Sequence, residues 1–341
     1  GSEMCIRDRY NMEAIHLTYF ETPKDDLKIH EIYRNEALLQ EMESLSAGRK
    51  SLPDASRYYT TPVVFPKPGS DRPYIVSSIV LSADGKMAFM DNQVGPLIAK
   101  LNELDPTGGA DDFWCLNMLR ANSDGILVGA RTLQNEPTYI NNCMDISLFR
   151  QRQEVLGKPN QPCQVVVSLD ATDIPYEHIT FRVDTEERLK MLIATSVVGW
   201  ENIQRDSHLK HCLVGPFTSR DQVDAAQLPA MDRDFDLVPV IVTGQGTEPD
   251  TELLLYVLRK LGMEVVCAEA PSYCGHLMQH GCLDEYFINY SMLYVGGTMS
   301  PGAAFPKSWK DHPHADLVSV GIHRQNFLFT RQKIRYGITS K

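Results

Sequence analysis

From residue 74 onward, short apolar runs rich in β-branched residues alternate with segments in which apolar residues keep helical spacing. This alternation is typical of an α/β sheet whose strands are joined by crossover helices. It predicts helices at residues 110–121 and 251–261, and a third helix that ends at Gly281. The apolar runs predict strands at residues 74–81, 125–128, 164–168, 191–195, 239–243, 263–268, 284–295, 315–323 and 325–335.

The chain before residue 74 has a different pattern. It begins with a Gly-Ser pair and shows no early periodicity, so we exclude the first residues from the fold as a non-native leader. Apolar residues keep helical spacing over residues 25–46, whereas four prolines in residues 51–70 indicate an extended linker. We therefore divide the chain into a leader (1–11), an N-terminal helical extension and linker (12–70), and one domain (71–341) with an insertion of unassigned structure at about 199–236.

The composition excludes several classes of function. A formal net charge of -11 argues against nucleic acid binding, which needs clustered Lys and Arg. No window approaches the roughly 18 apolar residues of a membrane span, and the N-terminus lacks the order of a signal peptide. We therefore expect a cytoplasmic protein that binds neither nucleic acid nor membrane. The eight cysteines form no Cys-x-x-Cys pair, so we expect buried free thiols and no metal site.

Two motifs directly follow predicted strands. Residues 82–86, Ser-Ala-Asp-Gly-Lys, place the charged side chains of Asp84 and Lys86 beside the end of the first strand, although an Asp-Gly turn without a function has the same pattern. Residues 129–132, Gly-Ala-Arg-Thr, expose backbone donors at the carboxyl edge of a sheet, where α/β proteins bind ligands. The threonine can hydrogen-bond a cofactor, and the arginine can pair with a phosphate or lie free in solvent.

A third motif joins a strand to a helix. Glu269 follows the strand at 263–268, and the residues after it open a helix whose free N–H groups and dipole favour an anion such as a pyrophosphate. Pro271 is also ordinary chemistry for a helix start. Elsewhere, Ser168 closes a buried strand, and Arg120 ends a helix, where a simple terminal charge is an equally good interpretation.

In this order and spacing, the motifs resemble the reductase domain of riboflavin biosynthesis, a family of the dihydrofolate-reductase-like superfamily. The resemblance covers about residues 72–337. It implies a mostly parallel central sheet flanked by helices, a homodimer, and NADPH as the cofactor. The implied reaction is hydride transfer to the ribosyl group of a phosphoribosylamino-pyrimidine, a small-molecule substrate.

The resemblance also implies roles for individual residues. It makes Asp84, Lys86 and Glu269 catalytic, with Lys86 stabilising or protonating the atom that gains electron density and Asp84 orienting it. It gives Arg120 and Tyr139, together with Glu269, to the substrate. The implied cofactor-binding residues are Ser82, Gly129, Arg131, Thr132, Asn135, Ser168, Ser272, Tyr273 and Gly275.

Two departures from the family pattern leave alternatives open. The turn after Glu269 runs straight into Pro271, one residue short of the usual glycine pair. Asn141 and Asn142 stand where the family has an arginine for the substrate phosphate. A reductase of the same fold could therefore act on a pterin, a folate or another C=N or C=C compound. A ligand-binding protein without catalytic activity is the third hypothesis.

Overall fold

The computed structural model describes residues 15–183, 187, 189–231 and 237–338. Within these residues, eleven strands form one sheet. Their bounds are β1 Ile29–Arg34, β2 Tyr74–Ser82, β3 Gly125–Gly129, β4 Cys163–Val167, β5 Met191–Thr195, β6 His211–Phe217, β7 Val238–Thr243, β8 Val265–Ala268, β9 Glu285–Ser291, β10 His314–His323 and β11 Phe327–Arg335.

Helices flank this sheet, and the helices predicted at residues 110–121, at residues 251–261 and before Gly281 correspond to α4, α9 and α10. The bounds are α1 Glu36–Leu45, α2 Pro53–Tyr58, α3 Leu97–Lys100, α4 Gly108–Asn122, α5 Ala130–Asn135, α6 Ile146–Leu156, α7 Val197–Asp206, α8 Arg220–Ala225, α9 Thr251–Lys260 and α10 Pro271–Gln279, with a 3-10 turn at Ile179–Arg182. In the described ranges, every helix is too short or too polar to cross a membrane. The cysteines in these ranges are free, and all but Cys212 are buried.

The strand order is β1-β10-β11-β9-β2-β8-β3-β4-β5-β7-β6. Every neighbouring pair from β9 to β6 is parallel, whereas β1, β10 and β11 complete the sheet by antiparallel pairing. The predicted mostly parallel central sheet is therefore confirmed. Because parallel strands end at the same edge of a sheet, the residues that follow β2, β3, β4 and β8 all lie along one edge.

The two faces of β2 pack against different helices. Ser77 faces α10, where its hydroxyl donates to the Ala268 carbonyl at 2.7 Å and lies 3.2 Å from the Cys274 thiol. The opposite face packs beneath α4, where Trp114 is fully buried in one apolar cluster with Phe287 of β9. Side chains of a strand alternate between faces, so α4 and α10 cover opposite sides of the sheet edge.

The predicted helix over residues 25–46 is wrong in its first half. Residues Ile29–Arg34 form β1, an edge strand that pairs antiparallel with β10. The side chain of Asn35 then caps α1 by accepting the N–H of Leu38 at 3.1 Å. Local spacing of apolar residues did not reveal the strand because the strand that pairs with it lies near the other end of the chain.

The rest of the N-terminal segment and the proposed insertion also carry regular structure. Residues 51–70, predicted as an extended linker, contain α2 and contribute Phe65 to the core. The region 199–236 contains β6, which extends the sheet by pairing parallel to β7. Residues 232–236 and the predicted leader, residues 1–11, lie outside the described residues.

Candidate active site

A buried ion pair lies at the carboxyl end of β8. Glu269 is the residue that follows this strand, and its carboxylate accepts two hydrogen bonds of 2.6 Å from Nε and Nη2 of Arg120 in α4. The side chain of Arg120 has no exposed surface, and that of Glu269 is 7% exposed. Two parallel N–H···O bonds of this kind fix both the position and the orientation of the carboxylate.

Neighbouring residues use the remaining donors and acceptors of the pair. Nη1 of Arg120 donates to Tyr139 Oη at 2.8 Å and to the Asn142 carbonyl at 2.9 Å. Nδ2 of Asn141 donates to Oε2 of Glu269 at 2.8 Å. Burial alone would lower the pKa of Arg120, but the charge of Glu269 raises it above its ordinary value. The network is therefore a fixed unit in which Glu269, not Arg120, reaches the surface.

The junction of α4, β3 and β8 holds the pair in place. The N–H of Glu269 donates to the Leu127 carbonyl of β3 at 2.8 Å. Asp124, in the turn between α4 and β3, accepts the N–H groups of Glu264 and Val265 at 2.8 and 3.0 Å. The end of α4 and the start of β8 are thus joined directly, which brings Arg120 beside the residue that leaves β8.

The turn predicted to be catalytic, residues 82–86, follows β2 and is held by its own hydrogen bonds. The hydroxyl of Ser82 donates to Oδ1 of Asp84 at 2.6 Å and accepts the N–H of Lys86 at 2.9 Å. Gly85 has a φ of 75°, a conformation that L side chains rarely adopt, so the turn needs glycine at this position.

Asp84 and Lys86 both bond to the loop that follows β9. Asp84 accepts the N–H groups of Val295 at 3.1 Å and Gly296 at 2.7 Å, and Nζ of Lys86 lies 3.3 Å from Oγ of Ser300. These hydrogen bonds, and first of all the one from the serine hydroxyl, lower the pKa of Asp84 to about 2. Among the described side chains, the predicted contact in which Asp84 orients the Lys86 ammonium is absent. Asp84 instead fixes the loop.

The turn and Glu269 lie at different heights along β2. Ser77 pairs with Ala268, so Ser78 lies beside Glu269. Ser82 lies four residues further on, about 13 Å at the rise of a strand. Between these two points, residues 78–80 of β2 are only half-buried. The predicted catalytic residues therefore stand at opposite ends of one strip of partly open sheet.

Helix α4 forms one side of this strip. Asp112, Leu116 and Arg120 are spaced four residues apart, so they lie on one face of the helix. Oδ1 of Asp112 accepts a 2.7 Å hydrogen bond from Nδ2 of Asn289, which is paired with Val80 of β2. Burial raises the pKa of Asp112 to about 6. Five residues along this strip are each partly exposed: Ser78, Val80, Asp112, Leu116 and Glu269.

Three residues of this region were missed in the sequence. Asp112 had one usable signal, its spacing of two helical turns from Arg120 on the same helix face. Asn141 was noted only as a departure from the family, yet it donates directly to Glu269. Glu136 follows α5, and burial, with the charge of Glu269, raises its pKa. Nothing in the local sequence indicates that this carboxyl lies near the pair.

Two helices begin beside Glu269. Helix α5 starts after Gly129 and α10 starts after Ala270, and a Cβ added to Gly129 would lie 3.6 Å from that of Ala270. The first N–H groups of a helix have no partner within it, and no side chain caps α10. The two helix starts therefore present backbone donors to one place, an arrangement that suits an anionic group. Thr132 and Ser272 lie in these first turns.

The other predicted cofactor residues differ in how freely they can bind. Arg131 and Asn135 are exposed on α5. Ser168 is occupied within its own turn, because its hydroxyl donates to Asp173 at 2.5 Å and accepts the N–H of Ala171 at 2.9 Å.

Tyr273 and Gly275 of α10 are covered by neighbouring residues. The ring of Tyr273 stacks on His276 with 5.5 Å between the centroids. A Cβ on Gly275 would lie 3.0 Å from the ring of Phe305, so a ligand could reach this glycine only if the aromatic side chain moved.

Comparisons with known proteins place this fold. No family model matches the chain, and no curated protein matches it. A pyrimidine reductase-like protein from Corynebacterium diphtheriae is similar with a TM-score of 0.54 and 17% identity, over 86% of this chain and 98% of that chain. At this identity the likeness concerns the fold. The predicted fold, a mostly parallel sheet flanked by helices, is the fold that this chain shares with that protein.

Two further solved structures have lower scores. RibD from Acinetobacter baumannii gives a TM-score of 0.48 at 15% identity, over 78% of this chain and 59% of that chain. The riboflavin biosynthesis reductase of Saccharomyces cerevisiae gives 0.49 at 11% identity, over 88% of this chain and 100% of that chain. The chain thus spans little more than half the length of the bacterial RibD protein.

Proposed function

We propose that the chain is an NADPH-dependent reductase that transfers hydride to a ribosylamino-pyrimidine such as 5-amino-6-(5-phosphoribosylamino)uracil. One observation carries this conclusion: Glu269, fixed by a buried arginine, stands where the starts of α5 and α10 meet the carboxyl edge of the sheet. Such a reductase needs a fixed polar group for the substrate beside a site for the cofactor phosphates. The likeness in fold to a pyrimidine reductase-like protein supports the same function.

In this function Glu269 contacts the substrate and Arg120 is a positioning residue. The predicted direct contact of Arg120 with substrate does not agree with its burial, because Nε, Nη1 and Nη2 all donate to protein groups. The carboxylate of Glu269 can accept hydrogen bonds from substrate hydroxyl or N–H groups. Asn141 and Tyr139 keep this carboxylate and its arginine in one geometry, so binding requires little reorganisation.

The residues at the two helix starts fit the phosphates of a dinucleotide. Gly129 and Ala270 are small and leave the backbone N–H groups of both first turns open, and the exposed Arg131 can pair with a 2′-phosphate. When bound, NADPH supplies the hydride. The chain binds and orients both reactants, which pack against the partly open strip of β2 between Ser78 and Ser82.

A fluorescence titration with NADPH and NADH tests this function. The chain has three tryptophans, among them the fully buried Trp114 on α4, and the titration follows the quenching of their emission by the dinucleotide. We expect micromolar NADPH binding, weaker NADH binding, and a selective loss of NADPH affinity in Arg131→Ala. Arg205→Ala, which removes an exposed arginine of α7, is the matched control and should leave the affinity for both dinucleotides unchanged. If neither dinucleotide binds, the reductase function is excluded, and the hypothesis of a protein without catalytic activity takes its place.

A second substrate class is favoured by the state of the arginines near Glu269. Arg120 is buried, and Arg152 donates to the carbonyls of Ala121, Ser123 and Asn160, so neither is available for a substrate phosphate. A reductase of the same fold that acts on a pterin, a folate or another C=N or C=C compound would need no arginine for a substrate phosphate. Comparing kcat/KM for the phosphoribosyl substrate and its dephosphorylated form distinguishes the two. Equal values favour the second class, whereas strict dependence on the phosphate excludes it.

A further inference from the structure

We propose that Asp112 is the acid that protonates the substrate atom that gains electron density during reduction. This role rests on the proposed reductase function and deepens it, because it assigns the proton that hydride transfer alone leaves unaccounted for. The residue lies on α4, two turns before Arg120, and faces the same strip of β2 as Glu269.

The position of Asp112 suits direct contact with a bound substrate. Its Oδ1 is held by Asn289, which is paired with Val80 of β2. Among the described residues Oδ2 of Asp112 has no hydrogen-bond partner, and this oxygen is accessible to solvent. Glu269 lies on the same side of the sheet, next to Ser78. A substrate anchored on Glu269 and lying along β2 would therefore bring its far side to Oδ2 of Asp112.

The other candidate groups are less suited to give a proton. The carboxylate of Glu269 accepts three N–H bonds, two of them from a guanidinium, which is the arrangement of an ionised acceptor. Nζ of Lys86 bonds to Ser300 in a turn about 13 Å further along β2. Asp112, by contrast, has one oxygen held and one oxygen available.

The environment of Asp112 keeps a proton available near neutral pH. Burial raises the pKa of this carboxyl to about 6, against the opposing effect of the Asn289 N–H. On α4 the adjacent titratable groups are Asp111, which faces His323, and the buried thiol of Cys115. The neighbouring β2 and β9 present neutral side chains to Asp112. The charge of Lys100 in α3 opposes the rise in the pKa of Glu136.

The proton and the electrons balance in a simple way. The acceptor carbon gains the hydride that NADPH supplies, and the electron pair of its C=O or C=N bond moves to the oxygen or nitrogen. That atom takes the proton as the Oδ2–H bond of Asp112 breaks and the new O–H or N–H bond forms. Asp112 is left as a carboxylate that accepts the Asn289 N–H, and water returns its proton before the next turnover.

Kinetics as a function of pH tests this role. With NADPH and 5-amino-6-(5-phosphoribosylamino)uracil, we expect kcat to fall about tenfold per pH unit above about pH 6, as the acid loses its proton. Asp112→Asn should lower kcat by about 10²–10⁴-fold and remove this limb. Asn289→Leu removes an N–H that stabilises the carboxylate, so it should move the limb to higher pH. If Asp112 had only a structural role, Asp112→Asn would keep the fall of kcat above pH 6, and Asn289→Leu would not move it to higher pH.

Infrared difference spectroscopy gives a measurement that does not depend on activity. In the parent protein, the infrared absorbance of protonated carboxyl groups should fall as the pH rises through about 6, and part of this fall should be missing from Asp112→Asn. Both proteins are measured with Asp111→Asn in the background, because burial raises the pKa of Asp111 to about 7 and its carboxyl would otherwise contribute. Asp206→Asn, at an exposed position on α7, is the control and should leave the fall in absorbance unchanged. NADPH binding, measured by tryptophan fluorescence, should be unaffected in Asp112→Asn, Asn289→Leu and Asp206→Asn.

The outcomes separate this role from the function on which it rests. If the parent protein reduces the substrate but Asp112→Asn keeps its kcat and its pH limb, the role of Asp112 is excluded and the reductase function stands. If the parent binds no NADPH and reduces nothing, both are excluded. If the fall in carboxyl absorbance near pH 6 were the same with and without Asp112→Asn, the role would also be overturned, because Asp112 would not be the group that titrates there.

Discussion

Removing the charge of Glu269 tests whether the buried ion pair organises the site. Glu269→Gln keeps the size of the side chain but leaves the guanidinium of Arg120 without an anion where it has no exposed surface. Breaking a buried pair from one side costs about 3–5 kcal/mol, because the remaining charge stays buried without compensation. Arg120→Met leaves Tyr139 and the Asn142 carbonyl without this donor and leaves Glu269 only the N–H of Asn141, so we expect a loss of similar size.

The double variant separates the pair from its surroundings. When both charges are absent, neither is left uncompensated, and the loss should be smaller than the sum of the single losses by about 2–3 kcal/mol. Urea unfolding, followed by circular dichroism and tryptophan fluorescence, gives the free energies. Asp206→Asn is the control, because it removes one partner of an exposed ion pair with Arg205 and should leave the stability unchanged.

A stable Glu269→Gln protein would refute this reasoning. If its free energy of unfolding equalled that of the parent, and the coupling energy lay within about 0.5 kcal/mol of zero, Arg120 would not depend on Glu269 for its charge balance. The carboxylate would then lack the fixed geometry on which the proposed substrate contact depends.

Three further predictions follow from individual contacts. The folded-state pKa of Asp84, about 2 against an ordinary 3.8, means that its stabilising bonds persist above about pH 4 and are lost as the pH falls through 2. Amide exchange at Gly296 should accelerate in that window and, in Asp84→Asn, at neutral pH; unchanged protection would contradict this. Gly321→Ala would drive a methyl group into Thr60 and should destabilise the protein by about 1–3 kcal/mol in urea unfolding, whereas an unchanged midpoint would show that β1 is loosely packed. Burial raises the pKa of Asp111 to about 7, against an ordinary 3.8, so the contribution of this carboxyl to stability is complete below pH 3.8 and falls as the pH rises to 7. The parent protein should therefore lose stability relative to Asp111→Asn over this range. Parallel curves of stability against pH for the two proteins would exclude the raised pKa.

The central parallel strands were predictable because they are largely apolar on both faces, whereas β6, an edge strand with exposed and half-buried residues, was not predicted. Every residue of β4 and β5 is buried, and apart from Gln164 and Thr195 these residues are apolar, so each strand reads as a nearly continuous apolar run. In β1 only the first residue is buried, and the other five are exposed. An edge strand of this kind has no apolar run, and its pairing with β10 depends on tertiary structure that local spacing does not record.

The site was predictable only as a set of strand ends. Glu269, the turn at residues 82–86 and the start of α5 were each located by their position after a strand. The contact between Arg120 and Glu269 joins residues 149 positions apart, and no local pattern shows that Arg120 turns inward. Asp112 was missed for the same reason, because its hydrogen bond to Asn289 joins α4 to a strand 177 residues away.

A second buried pair shows why position decides between structural and functional roles. Arg331 and Glu285 are both fully buried and bonded at 2.7 Å, and Arg331 also donates to the carbonyls of Pro62 and Val64. The chemistry is the same as that of Arg120 and Glu269, and a buried ion pair alone is weak evidence for any role. Glu285, however, begins β9, at the amino edge of the sheet, and its pair ties the N-terminal segment to the core. Glu269 leaves β8 at the opposite edge, where strands give way to helix starts and ligands can approach. The proposed role of Glu269 therefore depends on its position at the carboxyl edge of the sheet. A ligand has no comparable opening through which it could reach Glu285.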